Sequence, residues 1–440
     1  MCVTAVLLLF GCADQAPRPR VDHIVLVVLD ATHAGHLGCY AGDHRASPNL
    51  DALAARGVRF ANAFSNTTWT LPSTVSLFTG LRPERHGVVT AGQIVPDELL
   101  LLPERLGPVG FTSAAWSHMI FASARHALDQ GLDQGRYLRP RDEVGKAEAK
   151  VELESFLAAG HERSFTYLHL RRPHSPYEPD DLYRLPFEGD CPLADRSRDK
   201  ALMYIDNAPD PQLDAADLEH LTHLYRANLR QVDTTVGWLV DLLGDRLSED
   251  TLLVITADHG EELGEHGKFG HRDEVFAEVV RVPLVVVGPG IEPGVVEQAV
   301  ATVDVTPSLM ELVGLPADDE LDGTSWAPAL YGESVSREPV RIAGRRTPGQ
   351  AFGAAAVGRE WKLTRRADGT QVFHAWRHDA ADIQAVEPGL VDASERATLQ
   401  RIVDELLAWE PQPTAELDAA STTPEELEDL RQLGYVGEER

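Results

Sequence analysis

Two stretches of this chain are apolar almost without interruption, and each ends in an acid. Val21-Asp22-His23-Ile24-Val25-Leu26-Val27-Val28-Leu29 runs into Asp30, and Thr251-Leu252-Leu253-Val254-Ile255-Thr256-Ala257 runs into Asp258-His259-Gly260. A strand without polar alternation is buried on both faces, which is the habit of parallel sheets covered by helices on either side. In such sheets ligands bind beyond the carboxyl ends of the strands, so an acid placed there is positioned for function. The remaining pattern fits: a helix opened by Ser47-Pro48 and running through Ala55, strands at Phe111 to Trp116, Ser164 to Leu170 and Val282 to Val287, a long helix from Asp217 to Leu243, and a helix from Asp304 to Val313. Alternation of this kind predicts an α/β fold with a mostly parallel sheet and helices on both faces.

The segment Trp69-Thr70-Leu71-Pro72-Ser73-Thr74-Val75-Ser76-Leu77-Phe78-Thr79-Gly80 reads as a turn into a short helix, with Pro72 at the first helical position and Gly80 as the stop. Thr70 is there either a helix cap or a hydroxyl held at the positive end of the peptide dipoles, where developing negative charge is stabilised. Likewise Asp30 alone is a strand-end acid and Asp258-His259 a polar turn. Taken together, Asp30, Thr70, Asp258 and His259 supply two carboxylates, an imidazole and a hydroxyl, a four-ligand set for one divalent ion.

With 440 residues the chain has ample material for a large core, but Lys and Arg total 40 against 69 Asp and Glu, a net charge of −29. That balance argues against nucleic acid or an anionic membrane face as partner. It also works against long-range attraction of an anionic substrate, which leaves capture to cations at the pocket itself.

In chain order, Val28-Leu29-Asp30, His36-Leu37-Gly38-Cys39-Tyr40, Ser47-Pro48-Asn49-Leu50, Thr70-Leu71-Pro72-Ser73 with Thr79-Gly80, Arg85-His86-Gly87, Pro173-His174-Ser175-Pro176-Tyr177, Asp258-His259-Gly260-Glu261, Gly264-Glu265-His266-Gly267, Arg281-Val282-Pro283-Leu284 and Asp304-Val305-Thr306-Pro307 match blocks of one family. Through them the chain resembles the sulfatases of the alkaline phosphatase superfamily, over roughly residues 22 to 325. The resemblance implies a metal-dependent hydrolase acting on a small-molecule, envelope or glycan ester of sulfate or phosphate. The metal ligands would be Asp30, Thr70, Asp258 and His259, holding one divalent ion (Ca, Mn or Zn). His174 would be the first proton donor and substrate contact, His271 the second, and Lys268 a substrate-binding cation, with surface charge the alternative reading of Lys268. His33, His86, His118 and His169 read as structural, and His266 as a brace for its loop.

Four departures from the family pattern matter. Sulfatases oxidise a Cys or Ser to formylglycine within a Cys/Ser-x-Pro-x-Arg signature, whereas this chain has Thr70 at the nucleophile position and Thr74 in place of the Arg. Oxidised threonine is a ketone, so the aldehyde hydrate does not form. The acidic pair after the first strand is reduced to Asp30-Ala31, and His271 replaces a lysine. Thr70 as a metal-activated nucleophile with a covalent ester intermediate brings the chain nearer the superfamily's single-metal threonine enzymes, among them envelope phosphoglycerol and phosphoethanolamine transferases. A non-catalytic sulfatase-like binding protein is the other alternative.

Residues 1–20 resemble a lipoprotein signal and linker, with an apolar run to Phe10, then Gly11 and Cys12 as the lipidation site. This predicts export and membrane attachment on the periplasmic or outer face. Cys39 and Cys191 would then be the disulfide candidates, with a packing role as the alternative for Cys39. Residues 21–332 form the catalytic domain, with an inserted loop over 180–216. Residues 333–440 form a small α+β subdomain, with strands at Phe352 to Val357, Glu360 to Arg365 and Gln371 to Trp376, a helix from Ala393 to Trp409, and an amphipathic helical tail from Pro424 that reads as a docking element.

Overall fold

The computed structural model describes residues 18–139, 143–187, 213–271, 274–344, 352–379, 381–411, 414–417 and 422–432. Cys12, Cys191 and most of the expected inserted loop lie outside the described residues.

The strands in chain order are β1 (His23–Leu29), β2 (Val58–Phe64), β3 (Phe111–Ser117), β4 (Gln134–Tyr137), β5 (Arg163–Leu170), β6 (Thr251–Thr256), β7 (Glu262–Leu263), β8 (Phe269–Gly270), β9 (Arg281–Val282), β10 (Leu284–Val287), β11 (Gly294–Ala301), β12 (Val340–Ala343), β13 (Ala354–Val357), β14 (Lys362–Arg365) and β15 (Gln371–His374). The main sheet has the order β11-β2-β10-β6-β1-β5-β3-β4, with β9 added on β2. It is mixed and mostly parallel: β10 runs antiparallel to both β6 and β2.

The helices that matter here are α1 (Pro48–Ala54), α2 (Thr70–Thr79), α3 (Glu143–Ala158), α4 (Ala215–Leu243), α5 (Val305–Leu312), α6 (Ala393–Ala408) and α7 (Pro424–Gln432). Alternate residues of the central strands divide between two cores. Ile24, Leu26, Val28, Phe165, Tyr167, Leu252 and Val254 pack with Leu71, Val75 and Phe78 of α2. Val25, Val27, Leu29, Leu168, Leu253 and Ile255 pack with Leu221, Leu224, Tyr225 and Val236 of α4 on the opposite face. Strands buried on both faces are thus continuously apolar for the expected reason.

Several boundaries shift on physical grounds. Helix α2 begins at Thr70, and Pro72 falls within its first turn, where no backbone N–H is required. Gly80 ends it with φ 71°, a conformation glycine adopts without steric cost. Helix α4 begins at Ala215, because the Asp214 carboxylate accepts from Asp217 N at 2.9 Å while Asp217 accepts from Asp214 N at 3.1 Å.

The C-terminal sheet is antiparallel, in the order β12-β13-β14-β15, one strand more than the sequence pattern predicts, and α6 packs on it. It is joined to the segment before α2 by Ala343 N donating to Asn66 O (3.0 Å) and Asn66 Nδ2 donating to Arg341 O (2.9 Å). Helix α7 lies back on the main unit through Asp429, which meets Arg139 at 3.2 Å and Tyr137 at 3.3 Å. Among the described residues no helix is long and apolar enough to cross a membrane.

Candidate active site

Strand β1 lies between β5 and β6, parallel to both, with Val28 opposite His169 on one side and Thr256 on the other. Side chains alternate along strands, so Asp30, His169 and Asp258 fall on the same face, the one that carries α2. That face brings Thr70, in the first turn of α2, against them. Thr70 Oγ1 is 3.3 Å from His259 Nε2, and His259 Nε2 is 3.5 Å from Asp30 Oδ1 and 3.4 Å from Asp258 Oδ2. All of these side chains are buried.

The backbone holds the cluster in shape. Ala31 adopts φ 52°, a left-handed conformation that a residue with a Cβ takes up only at some cost. There its N–H donates to Asp258 Oδ1 at 3.3 Å and its carbonyl accepts from Tyr225 Oη at 2.7 Å. Ala31 therefore links the end of β1 to Asp258 and to Tyr225 through its backbone. His259 N also donates to Asp258 Oδ1 (3.0 Å), and His259 Nδ1 donates to Gly260 O (2.9 Å), which leaves Nε2 as the lone-pair atom.

Burial, and then the charge of Asp258, push the Asp30 carboxyl well above its ordinary pKa. Burial raises Asp258 too, but the imidazoles of His259 and His169 and the two backbone donors outweigh it and hold Asp258 below the usual range. Both Asp30 oxygens, Asp258 Oδ2 and His169 Nε2 are buried with no hydrogen-bond partner among the described residues. One donor atom each from Asp30, His169 and Asp258 lies within 4.8 Å of the others, room for a cation that contacts all three at about 2.0–2.5 Å. Two facing carboxylates with unmet lone pairs need positive charge between them, so these residues fit a divalent ion.

His169 is the member of this group that the sequence pattern presents as structural. The Tyr167 hydroxyl occupies its Nδ1 at 2.7 Å, and its Nε2 lies 3.8 Å from Asp30 and 3.7 Å from Asp258. Its only sequence signal is a histidine one residue before the end of a predicted strand that also carries Ser164 and Thr166. Arg171 is the other residue that the sequence pattern does not single out: its positive charge acts on both Asp30 and His174.

His174 and His271 stand next to the cluster. The His271 ring centroid is 4.1 Å from that of His259 and 4.8 Å from that of His174. His271 Nδ1 pairs with the buried Glu261 carboxylate at 2.7 Å, and His174 Nδ1 donates to Ser175 O at 2.6 Å. Burial pushes His174 down to about 3. Lys268 is turned to Glu274 (3.1 Å) and is 45% exposed, and the structure records no contact between it and Thr70 or the carboxylates. His266 pairs with Glu278 and stacks on Phe276, a bracing arrangement. Cys39 is a free thiol, partly buried, raised to about 12 chiefly by that burial.

Here the central strands of a mostly parallel sheet bring two carboxylates and two imidazoles to a helix-borne hydroxyl, an arrangement that fits the class of ester hydrolases. Residues 22–315 match the family model described as Sulfatase, about two thirds of the chain, and the protein belongs to the sulfatase family of sulfuric and phosphoric ester hydrolases. An ulvan-active sulfatase of Formosa agariphila is 29% identical over 348 residues, covering 70% of this chain and 65% of that relative. A choline-sulfatase of Rhizobium meliloti is 26% identical over 380 residues, covering 72% of this chain and 73% of the relative. The solved phosphonate monoester hydrolase of Agrobacterium radiobacter shares the fold with a TM-score of 0.70 at 21% identity, covering 89% of this chain and 95% of that one.

Proposed function

We propose that this chain hydrolyses sulfate or phosphate esters through attack by Thr70 Oγ1, with phosphate or phosphonate esters favoured over sulfate. The observation that carries the reading is the Thr70 hydroxyl, buried in the first turn of α2 and donating to His259 Nε2 at 3.3 Å beside two buried carboxylates. Asp30, Asp258 and His169 would hold one divalent ion, which when bound would neutralise the carboxylates and favour the ionised form of the Thr70 hydroxyl, while the one lone pair of His259, on Nε2, stays with that hydroxyl. A donor set of two carboxylates and an imidazole suits Mn or Zn better than Ca.

The oxygen of Thr70 bonds to phosphorus or sulfur as its proton passes to His259 Nε2 and the bond to the leaving ester oxygen breaks, giving a threonine ester. Water then attacks that centre, and Thr70 leaves as the hydroxyl by taking the proton back from His259. His271 is the better placed proton donor for the leaving oxygen, because the Glu261 carboxylate holds its Nδ1 at 2.7 Å and its ring centroid lies 4.1 Å from that of His259. His174, held neutral by burial, serves better as an uncharged contact to the substrate. Arg171 offers the local positive charge that an acidic protein needs around an anionic substrate. A substrate carried on a glycan or envelope component agrees with export and attachment through Cys12, the reading that Leu9-Phe10-Gly11-Cys12 supports.

The test is a side-by-side assay of aryl sulfate, phosphomonoester and phosphodiester against Ca, Mn and Zn. Thr70→Ala should fold normally and lose at least about 10³-fold in kcat. Turnover that survives the substitution would remove Thr70 from the attacking role. Inertness of the metal-loaded wild type toward every ester would favour a binding protein.

A further inference from the structure

The loop that leaves Asp30 carries a second group of metal-type donors. His33 precedes and His36 ends the short helical turn Ala34–His36, with ring centroids 5.1 Å apart. Across from them is Glu265, in the turn between β7 and β8. Leu263 N donates to Glu265 Oε2 at 2.6 Å, which fixes that carboxylate and leaves Oε1 3.9 Å from His36 Nε2. One donor atom from each of the three residues lies within 4.8 Å of the other two.

The ring nitrogens are what point to a ligand. His33 Nδ1 and His36 Nε2 are both buried with no hydrogen-bond partner among the described residues, and His36 is only 8% exposed. Two buried, unpartnered imidazole nitrogens beside a carboxylate oxygen are costly unless something satisfies them. The neighbouring group of Glu262, His266 and Glu278 differs on this point. There His266 Nδ1 is already paired with Glu278, and its Nε2 faces Asp382 O at 3.4 Å.

We propose that His33, His36 and Glu265 form a second divalent-metal site, of the two-histidine, one-glutamate kind that takes zinc or a similar borderline ion. Such a set fills three of four tetrahedral positions and leaves one for water. The 30% exposure of the Glu265 side chain gives the site a route to solvent. Ligation through His36 Nε2 places the ring proton on Nδ1. Arg226 Nε, now 3.4 Å from that nitrogen, then turns fully to Asp43, whose carboxylate its Nη1 already approaches at 3.6 Å. The bound ion ties the β7–β8 turn to the Asp30 loop. Tyr225 Oη already braces that loop by bridging His33 N (2.9 Å) and Ala31 O (2.7 Å). The site shares no ligand with the cluster around Thr70.

The full-length protein, stripped with chelator, is titrated with Zn²⁺ by calorimetry and its bound metal counted by elemental analysis. Wild type should bind two equivalents. Glu265→Gln and His33→Gln, whose side chains are partly exposed and tolerate exchange, should each bind one, with the second weakened at least about tenfold. Asp258→Asn should keep the His33/His36/Glu265 equivalent and lose the other. Circular dichroism and melting of the stripped proteins establish that each variant folds. Unchanged stoichiometry and affinity in both Glu265→Gln and His33→Gln would overturn the proposal, as would a single wild-type equivalent abolished by Asp258→Asn. A single equivalent lost in Glu265→Gln but kept in Asp258→Asn would support this site and count against the metal-dependent mechanism at Thr70.

Discussion

Replacing Asp30 by asparagine separates the stability of the cluster from its function. Without an ion, wild type buries two facing carboxylates whose Asp30 oxygens and Asp258 Oδ2 have no hydrogen-bond partner among the described residues. Above the raised pKa of Asp30 both carboxylates are ionised, and there the new side-chain amide of Asp30→Asn would donate to Asp258 Oδ2 and remove one of the charges. An unsatisfied buried polar group costs about 1–3 kcal/mol, so the metal-free variant should be more stable than metal-free wild type by that order. At about 2.1 cal/mol/K of unfolding entropy per residue, 440 residues melting as one unit carry about 0.9 kcal/mol/K. The gain is then about 1–3 °C in Tm.

A divalent ion at 100 times its Kd adds about 2.7 kcal/mol to wild type, or about 3 °C, and should add almost nothing to Asp30→Asn. The sign with pH is also fixed. The folded pKa of Asp30 is raised, so wild type loses stability as pH climbs above the ordinary carboxylate value of 3.8, and the advantage of the variant should be larger at pH 8 than at pH 5. Scanning calorimetry in chelator and in excess Mn²⁺, in a Glu265→Gln background to silence the neighbouring histidines, reads all three effects. If metal-free Asp30→Asn melts well below metal-free wild type and still gains the full shift from Mn²⁺, the carboxylate-cage argument is wrong.

Two further outcomes follow from buried groups elsewhere. His86 accepts from Val88 N at Nδ1 and pairs through Nε2 with Ser76 Oγ, both at 3.1 Å, and burial pushes it down to about 3. Its folded pKa is depressed, so its contribution is complete above the unfolded value near 6.5 and is lost as pH falls, by about 2 kcal/mol between pH 7 and 5. Urea unfolding of His86→Gln should show a correspondingly shallower acid dependence, and parallel curves for the two proteins would contradict this. Lys362 is fully buried, pairs with Asp382 and donates to Val275 O at 2.8 Å. Lys362→Met should therefore cost about 3–5 kcal/mol by stranding Asp382, and Lys362→Met/Asp382→Asn should recover much of it. A double variant no more stable than the single one in chemical denaturation would show that packing, not the stranded charge, sets the loss.

The sheet is readable in the sequence because its middle strands are buried on both faces and so are continuously apolar, and Asp30 and Asp258 stand out as the acids that end two such runs. The edges are less legible. Strands β2 and β11 pair in parallel at one end of the sheet, and β11 is largely exposed over Gly294 to Gln298, so it lacks the apolar signature. The small sheet shows three of its four strands, because Val340–Ala343 is short and follows a stretch without clear periodicity.

His169 marks the limit of what a single sequence gives. A histidine inside a buried strand is indistinguishable in sequence from a packed core residue until the neighbours of its strand are known. Once β5 is placed beside β1 with Val28 opposite His169, and β6 on the other side with Val28 opposite Thr256, the two-residue period settles the matter. Asp30, His169 and Asp258 must point to one face, and α2 covers that face with Thr70 at its open end. Strand order and register are long-range facts, fixed by how the whole sheet packs, and they turn three ordinary positions into one site. The substitution His271→Gln would leave that geometry untouched while removing the Glu261-braced imidazole. That variant should bind metal normally and lose the acid limb that His271 contributes to the pH–rate profile, and an unchanged profile would take the proton-donor role away from His271.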